Sequence, residues 1–321
     1  MTYFTPSPTY TSSDIAAAWD LITKAQKITL LTHKEPDADG ASACAGLAHI
    51  FTKLGKQTET IYPTGPNRPL LFQAAHVSIN AHTQIPDLII VCDTASADRM
   101  YKPDAFAHIP LINIDHHISS SIRGTFNFIN FAASSTCEEL YVLLSSWDAS
   151  LIDAHVARCL LYGILYDTQV FYNQGATAQT LRVSADLIDR GANLFELKNE
   201  LITNKDPKIC SLWGSMLSNI TISANGKAAW VSVTQETLKQ FGLKSPSLLG
   251  FSNFFAGLSG VDITIIFYES DWGTTEVSLR SRQSDVNALA HTFGGGGHKH
   301  AAGISSKKPM LELIKAITSS L

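Results

Sequence analysis

The chain lacks a strong charge of either sign. Its 321 residues carry 24 Lys and Arg against 28 Asp and Glu, a net charge of −4. That balance excludes a long, non-specific nucleic-acid track, which needs a broad basic surface. It leaves open a small phosphorylated substrate held by metals and a few local cations. Long hydrophobic runs are also missing, and none approaches the roughly 20 residues that span a bilayer. The first ten residues have neither a basic start nor an apolar stretch, so no secretory leader is expected. Cysteine is scarce and unpaired. Cys44, Cys92, Cys137, Cys159 and Cys210 stand singly among apolar neighbours, with no C-x-x-C pair. This argues against a structural zinc site and for reduced thiols, set in the core of a cytoplasmic protein. What remains is a globular composition, 45% hydrophobic and 16% charged, long enough for two domains.

Short apolar runs at residues 28–31, 57–62, 88–92 and 111–114 read as strands. Helical periodicity covers residues 13–26 and 41–54 between them. The runs are apolar without alternation, as strands buried on both faces should be. The fold class is therefore α/β: a mainly parallel sheet flanked by helices, with a second, smaller mixed α/β domain. Ser135-Thr136-Cys137-Glu138 reads as a capping box opening a third helix. Residues 151–166 and 177–190 read as two more, with Gly191 as the residue that ends the last. Periodicity breaks at Asn204-Lys205-Asp206-Pro207, which sets the expected domains at 1–203 and 204–321. Beyond it, residues 220–223 and 228–233 read as a hairpin through Asn225-Gly226, followed by strands at 262–268 and 274–279. Residues 286–291 and 311–317 read as short helices.

Potential metal ligands collect at the ends of these elements. His33, Asp37 and Asp39 follow the first strand, Asp93 follows the run 88–92, and Asp115-His116-His117 follows the run 111–114. Asp167 ends a helix. Hydrolysing a phosphoester at neutral pH requires a strong nucleophile and neutralisation of phosphoryl charge. Two divalent ions roughly 3.5–4 Å apart supply both, and one carboxylate must bridge them. Imidazole donors favour manganese, iron, cobalt or zinc over magnesium or calcium. Asp93, ending a central strand, is placed to bridge, while Asp37 and Asp39 can each face a different ion. Blander roles exist for each acid alone: Asp39 can cap the helix that follows it, Asp93 a short turn, and Asp167 can be an ordinary loop acid. Independent caps do not predict the joint pattern.

These residues resemble the DHH phosphoesterase superfamily, named for its Asp-His-His triplet. Its motifs are matched in order by Thr32-His33-Lys34-Glu35-Pro36-Asp37-Ala38-Asp39, Val91-Cys92-Asp93, Asp115-His116-His117 and Gly163-Ile164-Leu165-Tyr166-Asp167-Thr168. The segment from Phe293 through Gly294-Gly295-Gly296-Gly297-His298 to Gly303 resembles the glycine-rich signature of the DHH-associated domain. Length and layout are most similar to the nanoRNase and pAp-phosphatase group, although Gly40-Ala41-Ser42-Ala43 is more similar to the exonuclease branch typified by RecJ. The resemblance implies a hydrolase with two divalent ions, manganese by expectation. His33, Asp37 and Asp93 would hold one ion; Asp39, Asp93, His116 and Asp167 the other. Asp115 would fix imidazole orientation and His117 would face the phosphate.

In the smaller domain the expected substrate contacts are Arg280, Gly295, Gly296, Gly297 and His298. Successive glycines allow backbone N–H groups to converge on an anion and admit a phosphate or sugar closely. Arg280 and Arg282 are expected to face differently, with only Arg280 reaching the substrate, where a forked guanidinium suits a phosphate. His49, His76, His82, His108 and His155 have no partnered motif and are taken as structural. The implied substrates are very short oligonucleotides and 3′-phosphoadenosine 5′-phosphate. Linear products of cyclic dinucleotides, polyphosphate and longer single strands are alternatives, as is a nucleotide-sensing module with no turnover. Neither a membrane nor a long nucleic-acid partner is expected, and a homodimer is one assembly open to the chain.

Overall fold

The computed structural model describes residues 10–66, 70–173, 175–203, 206–243 and 250–321. The chain divides into two compact units, Met1–Leu201 and Ile202–Leu321. Residues 204 and 205, where the sequence places the boundary, lie outside the described residues. No helix among the described residues is long and apolar enough to cross a membrane.

The first unit runs α1 (Ser12–Lys24), β1 (Lys27–Leu31), α2 (Ala38–Lys53), β2 (Gln57–Tyr62), β3 (Val77–Ile79), β4 (Leu88–Cys92), β5 (Leu111–Asp115), β6 (Phe126–Ile129), α3 (Thr136–Asp148), α4 (Ala154–Asp167), α5 (Ala178–Asp189) and α6 (Leu194–Lys198). Its six strands are all parallel, in the order β3-β2-β1-β4-β5-β6. The order reverses between β1 and β4. In an open parallel sheet the crevice at that reversal, outside the carboxyl ends of the strands, is where ligands bind.

The sheet is buried on both faces, which explains the unalternating apolar runs. Ile28, Leu30, Ile90 and Ile114 pack under the helices, while Leu31, Ile61, Ile89 and Val91 face a second cluster with Phe106 and Ile122. That second face is covered by residues 97–109, which hold two short 3-10 turns, and by Ile122 in the loop after β5. Small residues let α2 lie deep against its neighbours: every residue from Ala38 to Ala48 is buried, and Gly46 meets Cys159 and Val156 of α4.

The second unit runs α7 (Pro207–Ser218), β7 (Thr221–Ile222), β8 (Ala228–Val233), α8 (Gln235–Gln240), α9 (Phe251–Ala256), β9 (Ile263–Glu269), β10 (Thr275–Ser281), α10 (Val286–Thr292), β11 (Gly296–His298), β12 (Ala301–Ser306) and α11 (Met310–Thr318). Its sheet order is β11-β12-β10-β9-β8-β7, antiparallel except for the β8–β9 pair. Val277, Leu279 and Ile304 pack with α10 and α11. Val231, Val233 and Ile266 pack with Leu212, Leu238 and Phe255 on the other side.

Several expectations need correction. Asp206-Pro207, read as a break, starts α7: Asp206 is its N-cap and proline fits the first helical position. Ser135 caps α3 by accepting from Glu138 N–H, but no capping box closes, because the Glu138 carboxylate accepts from Ser134 and Thr180 instead. Cys210 is exposed rather than in the core. Arg282 differs from Arg280 because β10 ends at Ser281, not because of strand alternation, which puts residues two apart on one face.

Candidate active site

Four chain segments meet at the carboxyl ends of β1, β4 and β5. The loop after β1 carries His33 and turns into α2 through Asp37, whose carboxylate accepts from Asp39 N–H and Gly40 N–H at 3.0 and 3.2 Å. Asp37, not Asp39, is therefore the cap of α2. Asp39 is buried and reaches a different helix: its two oxygens accept from Thr136 N–H at 2.7 Å and Cys137 N–H at 3.0 Å, at the amino end of α3. Asp93 follows β4 with φ +56°, left-handed backbone that aspartate tolerates better than most residues. Asp115 ends β5, and Asp167 ends α4.

The side chains of these segments form two overlapping sets. Asp93 Oδ2 lies 3.5 Å from His33 Nε2, which lies 3.8 Å from Asp37 Oδ1. Asp93 Oδ1 lies 3.6 Å from His116 Nε2, which lies 3.2 Å from Asp167 Oδ2. Asp39, His116 and Asp167 present ligand atoms within 4.8 Å of one another, as do His33, Asp37 and Asp93, and Asp93, His116 and His117. One carboxylate thus turns an oxygen toward each set. His33 Nδ1 lies 2.8 Å from Lys34 O; donating there leaves Nε2 with its lone pair, the tautomer a metal ligand needs. Asp115, fully buried, accepts at one oxygen from His116 N–H, His117 N–H and His117 Nδ1, while its Oδ2 has no hydrogen-bond partner among the described residues.

The electrostatics are those of crowded acids. Burial raises Asp39 well above the carboxylate range, and Asp167 and Asp93 add to it against the pull of His116. Burial, Asp37 and Asp93 push Asp167 up to about 6, against the pull of His116. Asp93 goes the other way: burial would raise it, but His33, His116 and His117 hold it well below the usual range. Burial alone would lower His33, yet Asp37 and Asp93 carry it up to about 10. His116 and His117 are raised against burial by Asp167 and Asp115 respectively, with Asp93 contributing to both. Five carboxylates and three imidazoles in one cluster must hold protons or cations, and the oxygen-and-imidazole donor set fits divalent ions.

Sequence reasoning missed three supports. Thr136 Oγ donates to Asp93 Oδ1 at 3.1 Å, and Arg99 O accepts from Lys34 N–H at 2.7 Å, beside His33. Neither had a signal in its local sequence. Gly163 did, as a glycine inside a helix, where it costs stability unless something needs the space. A Cβ there would collide with Cys137 Sγ and come within 2.6 Å of Asp39 Oδ1.

In the second unit, Arg280, Gly296 and Gly297 line one cavity of about 530 Å³ on the open face of β10, β12 and β11. Burial lowers the Arg280 pKa, and its guanidinium donates to Leu279 O at 2.9 Å. Gly295 does not line this cavity. The converging nest of amides is not formed as expected: Gly294 N–H and Gly295 N–H donate to His291 O and Ala290 O, closing α10. Gly295 and Gly297 are glycines because β12 backbone approaches them closely. His298 ends β11, and its side chain lies outside the described residues.

Two family models match the chain: the DHH family N-terminal domain over residues 27–164 and the DHHA1 domain over residues 226–321. The chain is 29% identical over 283 residues to a bifunctional oligoribonuclease and PAP phosphatase of Bacillus subtilis, covering 87% of this chain and 88% of that one. It is 27% identical over 286 residues to the protein of the same name from Thermus thermophilus, covering 87% and 84%. Among solved structures, an exopolyphosphatase-related protein from Bacteroides fragilis superimposes with a TM-score of 0.86 at 22% identity over 98% of both chains. RecJ of Thermus thermophilus in complex with Mn2+ gives 0.56 at 13% identity over 98% of this chain and 55% of that one. These last two likenesses speak for the fold.

Proposed function

The chain belongs to the DHH phosphoesterase superfamily, with a DHHA1 domain following, and on that premise we propose that it is a two-metal phosphoesterase cleaving very short oligonucleotides and 3′-phosphoadenosine 5′-phosphate. The observation that carries the reading is Asp93, whose two oxygens face two separate ligand sets. His33, Asp37 and Asp93 would hold one divalent ion, and Asp39, Asp93, His116 and Asp167 the other, with manganese suited to the mixed donors. Bound ions would supply charge neutralisation for the phosphoryl group and a water of lowered pKa.

The protein's own groups do the rest. Asp115 fixes the His117 ring through Nδ1, so Nε2 is the atom left for a phosphoryl or leaving-group oxygen. The α3 amino end and Thr136 hold Asp39 and Asp93 in place. Arg280 serves as an anion contact in the second unit. The net charge of −4 favours short substrates over long strands. The test is turnover with manganese of dinucleotides, 3′-phosphoadenosine 5′-phosphate, polyphosphate and a twenty-nucleotide single strand. Mononucleotide release from dinucleotides with little action on the long strand is expected. Preferred cleavage of the twenty-mer or of polyphosphate would overturn the reading.

A further inference from the structure

The open face of the second unit's sheet holds more than an anion contact. Glu276, Ser278 and Arg280 alternate with the buried Thr275, Val277 and Leu279 along β10, so they share that face. Arg280 and Glu276 stand four residues apart, about 13 Å between their backbones at strand rise, and the Arg280 guanidinium reaches back along the strand to within 3.5 Å of Ser278 Oγ, two residues from Glu276. Tyr268 on β9 is the register partner of Glu276, and both line the same cavity as Arg280. Between the two ends the floor is small: Ser278, with Gly303 as its register partner on β12. The Glu276 carboxylate is held by one oxygen, Oε1, which accepts from the hydroxyls of Thr274 and Ser305 at 2.6 Å each. No hydrogen bond from a described residue occupies Oε2.

The cavity is thus polarised, with a cation at one end and an aromatic ring beside a fixed carboxylate at the other. The separation is on the order of the phosphate-to-base length of one nucleotide. We propose that this face is a nucleotide subsite in which Arg280 takes the phosphate, Tyr268 stacks on the base and Glu276 selects guanine. A carboxylate is acceptor-only. Guanine offers it two adjacent donors, N1–H and the N2 amino group. Adenine and cytosine offer one amino group beside a ring nitrogen that repels it, and uracil one N–H flanked by two carbonyls. Stacking on tyrosine is tolerant of base identity, so the choice falls to the carboxylate.

The proposal rests on the nucleotide-phosphoester reading and is tested apart from it. Titration calorimetry of 5′-GMP and 5′-AMP into the full chain needs no turnover. GMP should bind roughly tenfold tighter or more, as a bidentate pair discriminates. Glu276→Gln should erase or invert the preference, since a glutamine amide pairs with adenine instead. Tyr268→Ala should weaken both nucleotides roughly tenfold and leave their ratio, which keeps the test alive should the glutamine variant not fold. Equal affinities in the wild type, binding of neither, an unchanged GMP preference in Glu276→Gln, or unchanged affinities in Tyr268→Ala would each overturn it. Failure to turn over any dinucleotide would strike the functional reading and leave this result standing.

Discussion

Asp93 satisfies two constraints that few residues meet together. Its backbone is left-handed at φ +56°, and its oxygens divide between His33 and His116. Asparagine tolerates the same backbone and has nearly the same shape. Asp93→Asn should therefore still fold, with a lower melting temperature in the chelated protein because the charge that His33, His116 and His117 stabilise is lost. Manganese-dependent kcat/KM should fall by about 10³-fold, as the loss of several kcal/mol of charge stabilisation requires. Melting curves, metal titration and turnover check this; full activity in the variant would remove the bridging role. At this scale the sequence was legible wherever a titratable side chain ended an apolar run: His33, Asp93, Asp115, His116 and His117 all stand there. Asp37 and Asp39 were legible too, as ligands that face different sets; only the alternative role went to the wrong acid, since Asp37 caps α2 and the buried Asp39 reaches α3, nearly a hundred positions away. Thr136 and Arg99 were invisible, because only the tertiary fold brings them to Asp93 and His33.

The elements that matter most are the pair α2 and α4, which bring Asp39 and Asp167 to one place. Their closeness depends on residues with little or no side chain. Gly163→Ala puts a methyl group against Cys137 and Asp39, both fully buried. The expected cost is about 1–3 kcal/mol of stability from overpacking, together with weakened metal binding as Asp39 is displaced. Thermal melting with chelator and calorimetric manganese titration measure the two effects. A variant with normal melting and normal affinity would show that the packing has slack. Helical periodicity made α2 legible in the sequence, as the apolar runs did β1, β2, β4 and β5. Two strands escaped: β3 is three residues long and largely uncovered, and β6 contains Asn127, which bonds back to Gly124. In the second unit α7, α8 and α9 were missed, the first because Pro207 was taken as a breaker.

For the whole molecule, the crowded acids make stability depend on pH and on cations together. Burial with neighbouring charge lifts Asp167 to about 6, burial lifts Glu139 to about 7, and Asp37 with Asp93 lifts His33, against burial, to about 10. Each folded value lies above the ordinary one. Each group therefore stabilises the fold fully below its unfolded pKa, and that contribution is lost as pH rises through the folded value. Asp93, held low, stays ionised in both states across this window and does not tilt it. With chelator present, the melting temperature should fall as pH rises from about 6 to about 10. Divalent ions need deprotonated ligands, so the rise in melting temperature on adding manganese should grow over the same range. A flat or rising profile in chelator would contradict this charge balance.

The sheet of the first unit is not defended equally on its two sides. Helices guard one, but among the described residues the other has the turns of residues 97–109, with Ile122, over Leu31, Ile61, Ile89 and Val91. Turns of this kind open at lower free energy than packed helices. Amide hydrogen exchange should therefore enter the molecule from that side, with residues 97–109 exchanging before α2 and α4. Arg99 travels with this stretch, and its backbone carbonyl is bound to Lys34 N–H beside His33. Each such opening frees the loop that aims His33, so metal exchange and the breathing of an uncatalytic surface should share one rate.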